Sequence, residues 1–178
     1  MQFTIHTASP NIRRVTFANG AANVVGADTI EELSDVIDTL SADSRVQVVI
    51  FDSATPGYFY NHADLTQFEG LLTQQAEDGT ALFIDVAERL TSAPFVSIAS
   101  IRGRTRGGGD ELALAFDLRY ASREEAIFCQ PEVGTGLLPG GGAGARLPRL
   151  IGRDRALEVL LAPGQAACPR SSTPAPPA

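Results

Sequence analysis

The stretch that decides the fold is "RGGGDELALAFDL", residues 106–118. Three consecutive glycines run into two acids and then into an apolar pattern of helical spacing. Glycine is a poor helix former, so a triple glycine just before a helix costs backbone entropy. Two explanations stand side by side at this point. The glycines are a tight strand-to-helix turn with close packing, or they leave the unpartnered N–H groups at the helix start open to a ligand oxygen.

Working upstream, "PFVSIASI" (94–101) reads as a buried strand that delivers the chain to the glycines. "VQVVIFDS" (46–53) is a second apolar strand, and its nearly continuous apolar run predicts a sheet covered on both faces. Between the N-terminus and that strand, "QFTIHT" and "RRVTFA" alternate as strands joined by the turn residues "ASPN". "ADTIEELSDVIDTLSAD" (27–43) is an amphipathic helix with Ile30, Leu33, Val36, Ile37 and Leu40 on one face. Asp28 or Thr29 is the expected cap, and Glu31 and Glu32 suit the helix dipole. "ATPGYFYNHADL" (54–65) reads as a long loop ending at a helix start, and a polar helical stretch over 65–92 is interrupted by Gly70 and Gly79.

Downstream, "LRYAS" and "AIFCQ" are short strands, a glycine-rich loop feeds a helix near 143–150, and "RDRALEVLL" (153–161) is a last helix. The alternation of strand and helix predicts an α/β fold with a mostly parallel sheet. The core domain covers 1–161. Residues 162–178, "APGQAACPRSSTPAPPA", hold five of the 11 prolines and no acid, and read as a disordered tail.

The totals narrow the function. The chain has 178 residues, 44% hydrophobic and 20% charged, with a net charge of −7 and a pI near 4.8. That balance argues against nucleic acid as a partner. No apolar run approaches membrane-spanning length, so no membrane association is expected. There is no signal-peptide pattern, and Cys129 and Cys168 are far apart, so a reducing cytoplasm is the expected compartment. His6 and His62 are too few and too separated to hold a metal, and none is expected. The second glycine run, Gly140 to Gly142 with Gly144, is a weak dinucleotide fingerprint because Ala145 stands where a third glycine would be.

Glu111, in the first turn of the helix after the glycines, either complements the dipole or works as an acid or base. Glu132, after Pro131, is either a solvated loop acid or its partner. Sequence spacing alone leaves both open.

"IRGRTRGGGDELALAFDLRYAS" and "FCQPEVGTGLLPGGGAGARLPRLIGRDRALEVLL" resemble two blocks of the crotonase, or enoyl-CoA hydratase/isomerase, superfamily, over roughly residues 10–161. The resemblance implies a spiral of ββα units, mostly parallel sheets with flanking helices. It implies an acyl-CoA thioester as substrate, coenzyme A entering only as part of that substrate and no separate cofactor. It also implies an oxyanion hole from the N–H groups of Ala63 and Gly108, with Glu111 and Glu132 as the catalytic carboxyls of an enoyl-CoA hydratase-type lyase. Double-bond isomerisation and non-catalytic acyl-CoA binding are the alternatives. His62, Asp64, Gly107 and Gly109 are candidates for the loops that contact substrate or coenzyme A.

His62 stands where the family pattern "A-G-A-D" has glycine. It either packs on the surface, leaving the Ala63 N–H pointing inward, or contacts the substrate. Arg102, Arg104 and Arg106 either meet coenzyme A phosphates or form a solvated strand end. The family continues with further helices that support a homotrimer or hexamer. Here that C-terminal helical segment is missing and the Pro/Ala-rich run takes its place, so truncation is the expectation.

Overall fold

The computed structural model describes residues 1–162, so the Pro/Ala-rich run from Pro163 onward, with Cys168, lies outside the described residues. Seven strands and six α-helices follow one another as β1 (Phe3–Ser9), β2 (Ile12–Phe17), α1 (Ala27–Ala42), β3 (Val48–Ser53), α2 (Phe68–Thr73), α3 (Leu82–Thr91), β4 (Val96–Ile101), β5 (Arg104–Arg106), α4 (Gly108–Ala113), β6 (Leu118–Ala121), β7 (Ile127–Cys129), α5 (Ala143–Ile151) and α6 (Arg153–Leu161). Short 3₁₀ turns at Leu65–Gln67 and Glu132–Thr135 precede α2 and follow β7.

The larger sheet has the order β1-β2-β3-β4-β6. β1 is antiparallel to β2, with Phe3 opposite Phe17, and the remaining pairs are parallel. β5 and β7 form a second, parallel pair. Two isolated bridges continue that second layer, Tyr58 to Arg104 and Val25 to Ala63. The chain therefore winds repeatedly through a strand of the large sheet, an extended segment of the second layer and a helix. β4, β5 and α4 make one such turn, and β6, β7 and α5 the next. These are the ββα units of a spiral.

Alternation decides which side chains go inward. Val15, Phe17, Val49, Phe51, Ser97, Ala99 and Ile101 are buried on one face. There they meet Ile30, Leu33, Val36, Ile37 and Leu40 of α1, all buried as the helical spacing predicts, and Val86, Ala87 and Leu90 of α3. The opposite face is not covered as the apolar run of β3 suggests. Val48 and Ile50 are only partly buried there, and Val96 and Leu118 are 44% and 42% exposed. The apolar outer residues reflect β-propensity and strand-to-strand contact rather than a second covering layer.

Two local expectations also change. The cap of α1 is Gly26, not Asp28 or Thr29. Both of those lie in the first turn, where Thr29 Oγ1 accepts from the Gly26 N–H at 3.0 Å. Glu32 accepts from the Gln2 and Phe3 N–H groups at 2.8 and 2.9 Å, which ties β1 to α1. Gly79, at φ +86°, does interrupt the 65–92 stretch, but Gly70 lies inside α2. A Cβ on Gly70 would sit 2.8 Å from the Ala27 Cβ, so that glycine serves the packing of α2 on α1.

The 54–65 loop is exposed at Ala54, Pro56, Gly57 and Leu65 but runs inward at its middle. Phe59, Tyr60 and Asn61 are buried in it. Tyr60 stacks on Phe59 and meets Phe17 edge-on, with ring centroids at 4.3 and 4.8 Å. Asn61 is held at both ends, its N–H on the Asn23 carbonyl at 3.0 Å and its side-chain amide on the Ala22 carbonyl at 2.9 Å. This fixes the backbone that leads to His62 and Ala63.

Candidate active site

Each glycine of the run 107–109 has its own task. Gly107 adopts φ +52°, ψ −130°, a backbone that favours glycine, and its N–H donates to the Cys129 carbonyl at 2.7 Å. A Cβ there would lie 2.7 Å from Glu132 Oε1 and 3.6 Å from His62 Nδ1. Gly109 is pressed on the carbonyls of Tyr60 and Asn61 so closely that no Cβ fits. It docks α4 on the 60–63 segment and does not face a ligand. The close-packing explanation of the triple glycine therefore holds at Gly109.

Gly108 lies between them. Its Cβ position is 3.5 Å from the Ala63 Cβ, 3.6 Å from the Ala63 nitrogen and 3.7 Å from the Phe83 ring. The peptides flanking Ala63 are tied to Val25: His62 O accepts from the Val25 N–H and Asp64 N donates to the Val25 carbonyl, both at 2.8 Å. The Ala63 N–H is left on the other edge, beside Gly108. Neither the Ala63 nor the Gly108 N–H donates a hydrogen bond to a described residue.

Glu111 and Glu132 converge on this place from different turns of the spiral. Glu111 is buried on α4, and its Oε1 accepts from the Gly141 and Ala143 N–H groups at 2.8 and 3.0 Å. Burial raises its pKa, while those backbone donors work against the rise. Glu132 opens the 3₁₀ turn after Pro131 and is partly buried, so it is not a solvated loop acid. Its carboxyl is pushed up to about 7, chiefly by burial, with the charge of Glu111 adding to the rise. Glu132 Oε2 is buried with no hydrogen-bond partner among the described residues.

The second glycine run, unconvincing as a nucleotide motif, is the cradle of Glu111. Gly141 lies against the edge of the Phe83 ring, and its Cβ position is 2.8 Å from Glu111 Oε2. Phe83, from the stretch read as polar and helical, carries no sequence signal for a site. Its ring also reaches the Cβ position of Gly108 at 3.7 Å.

The remaining candidates are placed as follows. Asp64 is an N-cap, accepting from the Thr66 N–H at 2.9 Å and its hydroxyl at 2.7 Å. His62 has no positive φ, since Asn23 is the only non-glycine residue with one among the described residues. It is half-buried beside Gly107, and burial, then the charge of Arg106, lowers its pKa. Its backbone is thus unstrained. Arg102 and Arg104 are exposed, and Arg104 lies over the Tyr58 ring at 5.5 Å. Arg106 is partly buried with an unpartnered Nε. No helix among the described residues is long and apolar enough to cross a membrane.

A spiral of ββα units with two carboxyls beside a pair of undirected amides defines the crotonase fold class, and the comparisons agree. The family model for enoyl-CoA hydratase/isomerase matches residues 7–168. The Bacillus subtilis (strain 168) protein YngF, an enoyl-CoA hydratase/isomerase by name, is 38% identical over 140 residues, which is 79% of this chain and 54% of that protein. A Streptomyces avermitilis crystal structure named for enoyl-CoA hydratase superposes with a TM-score of 0.83 at 37% identity, covering 90% of this chain and 58% of that one. The enoyl-CoA hydratase of Bacillus anthracis gives 0.80 at 30% identity, covering 90% and 62%. The chain belongs to the enoyl-CoA hydratase/isomerase family, within the crotonase superfamily. It spans about half the length of the curated relative it matches.

Proposed function

We propose that the chain hydrates the 2,3 double bond of a 2-enoyl-CoA thioester. The carrying observation is the contrast between the two glutamates. Glu111, raised by burial, is gripped by two backbone N–H groups that favour its carboxylate, whereas Glu132, pushed up to about 7 with one carboxyl oxygen left without a donor among the described residues, is about half protonated at neutral pH. A base and an acid thus stand at one site.

In the reaction, the Glu111 carboxylate takes a proton from water as the water oxygen bonds to Cβ. The double-bond electrons move towards the thioester carbonyl, and the Ala63 and Gly108 N–H groups receive the charge on its oxygen. Glu132 gives its proton to Cα, and the enolate collapses to the 3-hydroxyacyl thioester. Phe83 supplies an apolar wall for the acyl chain. Assembly as a homotrimer or hexamer is part of the same reading. It is supported by the exposed Leu150, Ile151, Leu157 and Leu161 of α5 and α6.

The test is loss of the conjugated-thioester absorbance of a short 2-enoyl-CoA with the purified chain. Glu111→Gln and Glu132→Gln should each lower kcat roughly 10²- to 10⁴-fold. Migration of the double bond without water uptake would instead indicate isomerisation. Binding without turnover in folded protein would indicate an acyl-CoA binder.

A further inference from the structure

Behind the two glutamates lies a buried polar pair that the proposed chemistry does not use. Gln130 Nε2 donates to Asp110 Oδ2 at 2.9 Å, and the two residues are 1% and 3% exposed. Asp110 immediately precedes Glu111 on α4, and Gln130 stands two residues before Glu132, at the end of the β7 segment. The bond therefore joins, at short reach on both sides, the two backbone segments that carry the proposed base and acid.

We propose that Asp110 and Gln130 form a brace that sets the placement of Glu111 relative to Glu132, with Asp110 a neutral positioning residue rather than a catalytic one. The inference rests on the hydratase reading of the two glutamates. A neutral brace is what the surroundings demand. The charged groups facing Asp110 are the carboxyls of Glu111 and Glu132 and the guanidinium of Arg119, which also donates to the Ala113 and Phe116 carbonyls. An ionised Asp110 would put a second negative charge beside the Glu111 carboxylate, and a third wherever Glu132 has lost its proton, with one partial counter-charge.

Burial, the leading cause, together with Glu111 and Glu132, pushes the Asp110 carboxyl up to about 8, against the Gln130 hydrogen bond and Arg119. Gln130 Oε1 is buried without a donor among the described residues, which also suits a neighbour that carries a proton.

The brace predicts different outcomes for changes that preserve and that remove the bond. Asp110→Asn retains a neutral hydrogen-bonding group of the same shape. Asp110→Leu and Gln130→Met remove one partner, replacing it by an apolar group of the same branching or length. Asp110→Asn should hold kcat within about threefold of wild type, while Asp110→Leu and Gln130→Met lose on the order of 10- to 100-fold in kcat with little change in KM. Above about pH 8 the wild-type rate should fall with a two-proton slope, and the Asp110→Asn rate with a one-proton slope. If Asp110→Asn is as slow as Asp110→Leu, or if both slopes are alike, the brace is wrong.

Carboxyl ¹³C NMR titration separates this from the hydratase reading. In folded wild type one aspartate should titrate near 8 and be lost in Asp110→Asn. The Glu132 titration should stay in place in Asp110→Asn and move in Asp110→Leu and Gln130→Met. That pattern in a chain without turnover would uphold the brace and overturn the hydratase reading. Absence of any aspartate titrating above about pH 6 would overturn the brace whatever the turnover.

Discussion

The Gly109 Cα rests against the Tyr60 carbonyl oxygen with no room for a methyl group between them. This contact sets the approach of α4 to the 60–63 backbone and so the spacing of the Gly108 and Ala63 amides. Gly109→Ala has only backbone to push against, on Tyr60 and Asn61, and neither can swing aside. Urea unfolding should show a loss of about 3 kcal/mol or more, at the upper end of overpacking costs. Unchanged stability would mean that α4 can shift without penalty.

Gly107→Ala should behave differently. The new Cβ meets Glu132 Oε1, the far end of a flexible side chain, so what moves is the carboxyl. The unfavourable φ of +52° costs about 1–3 kcal/mol. The displaced Glu132 should cost on the order of 100-fold in kcat/KM. A folded variant by thermal melting, with turnover reduced far beyond its stability loss, is the expected result.

The rate should follow a bell in pH. Glu132 must be protonated to serve Cα, so activity falls as pH rises through about 7. Glu111 must be ionised to accept the water proton, so activity also falls at low pH, at a value above the ordinary glutamate range because burial raises that group. In Glu132→Gln the residual activity should lose the limb near 7. Its persistence there would assign the acid role to another group.

Stability should also respond to Asp110. Its carboxyl titrates near 3.8 when unfolded and about 8 when folded, so the unfolded chain gives up this proton first. The stabilisation is fully present below 3.8, is lost as pH rises between the two values, and is level above 8. The limiting slope is about 1.4 kcal/mol per pH unit. Asp110→Asn removes that slope, so denaturant titrations at about pH 5 and about pH 8 should show the variant gaining on wild type at the higher value.

Phe83 has its ring edge against both Gly108 and Gly141. Phe83→Ala should shift preference towards longer acyl chains, each accommodated methylene contributing about 0.8 kcal/mol. The kcat/KM ratio between long and short 2-enoyl-CoA thioesters measures it. A constant ratio would remove Phe83 from the acyl wall.

Much of this architecture is legible in the sequence because it rests on local rules. The spacing of Ile30, Leu33, Val36, Ile37 and Leu40 predicts a helix face that is indeed buried, and the strand and helix around 94–118 are as read, except that the unread strand β5 comes between them and α4 begins inside the glycine run at Gly108. What sequence does not reveal depends on long-range approach. Gly141 reads as a loop glycine until the fold brings Glu111 and Phe83 to it from other turns. Gly109 reads like its neighbours until Tyr60 and Asn61 lie against it. Asp64 looks available until its carboxylate is found capping the turn at Leu65–Gln67. Gly26 displaces Asp28 and Thr29 as a cap because Thr29 turns back to the Gly26 N–H. The half-covered outer face of β3 escapes a reading based on apolar content, since that content does not say what packs where.

Because the carboxyls and amides sit on successive turns of the spiral, they leave the ribosome in a fixed order. Ala63 emerges first, with the loop after β3. Gly108 and Glu111 follow with α4, then Glu132, and last the Gly141 and Ala143 amides that grip Glu111. A nascent chain can thus bury α1 against the first strands of the large sheet while its binding place is still unfinished. Ligand can favour the folded state only once the Gly141 and Ala143 amides have joined the other groups, so its stabilising effect follows the docking of α1 on the first strands rather than guiding it.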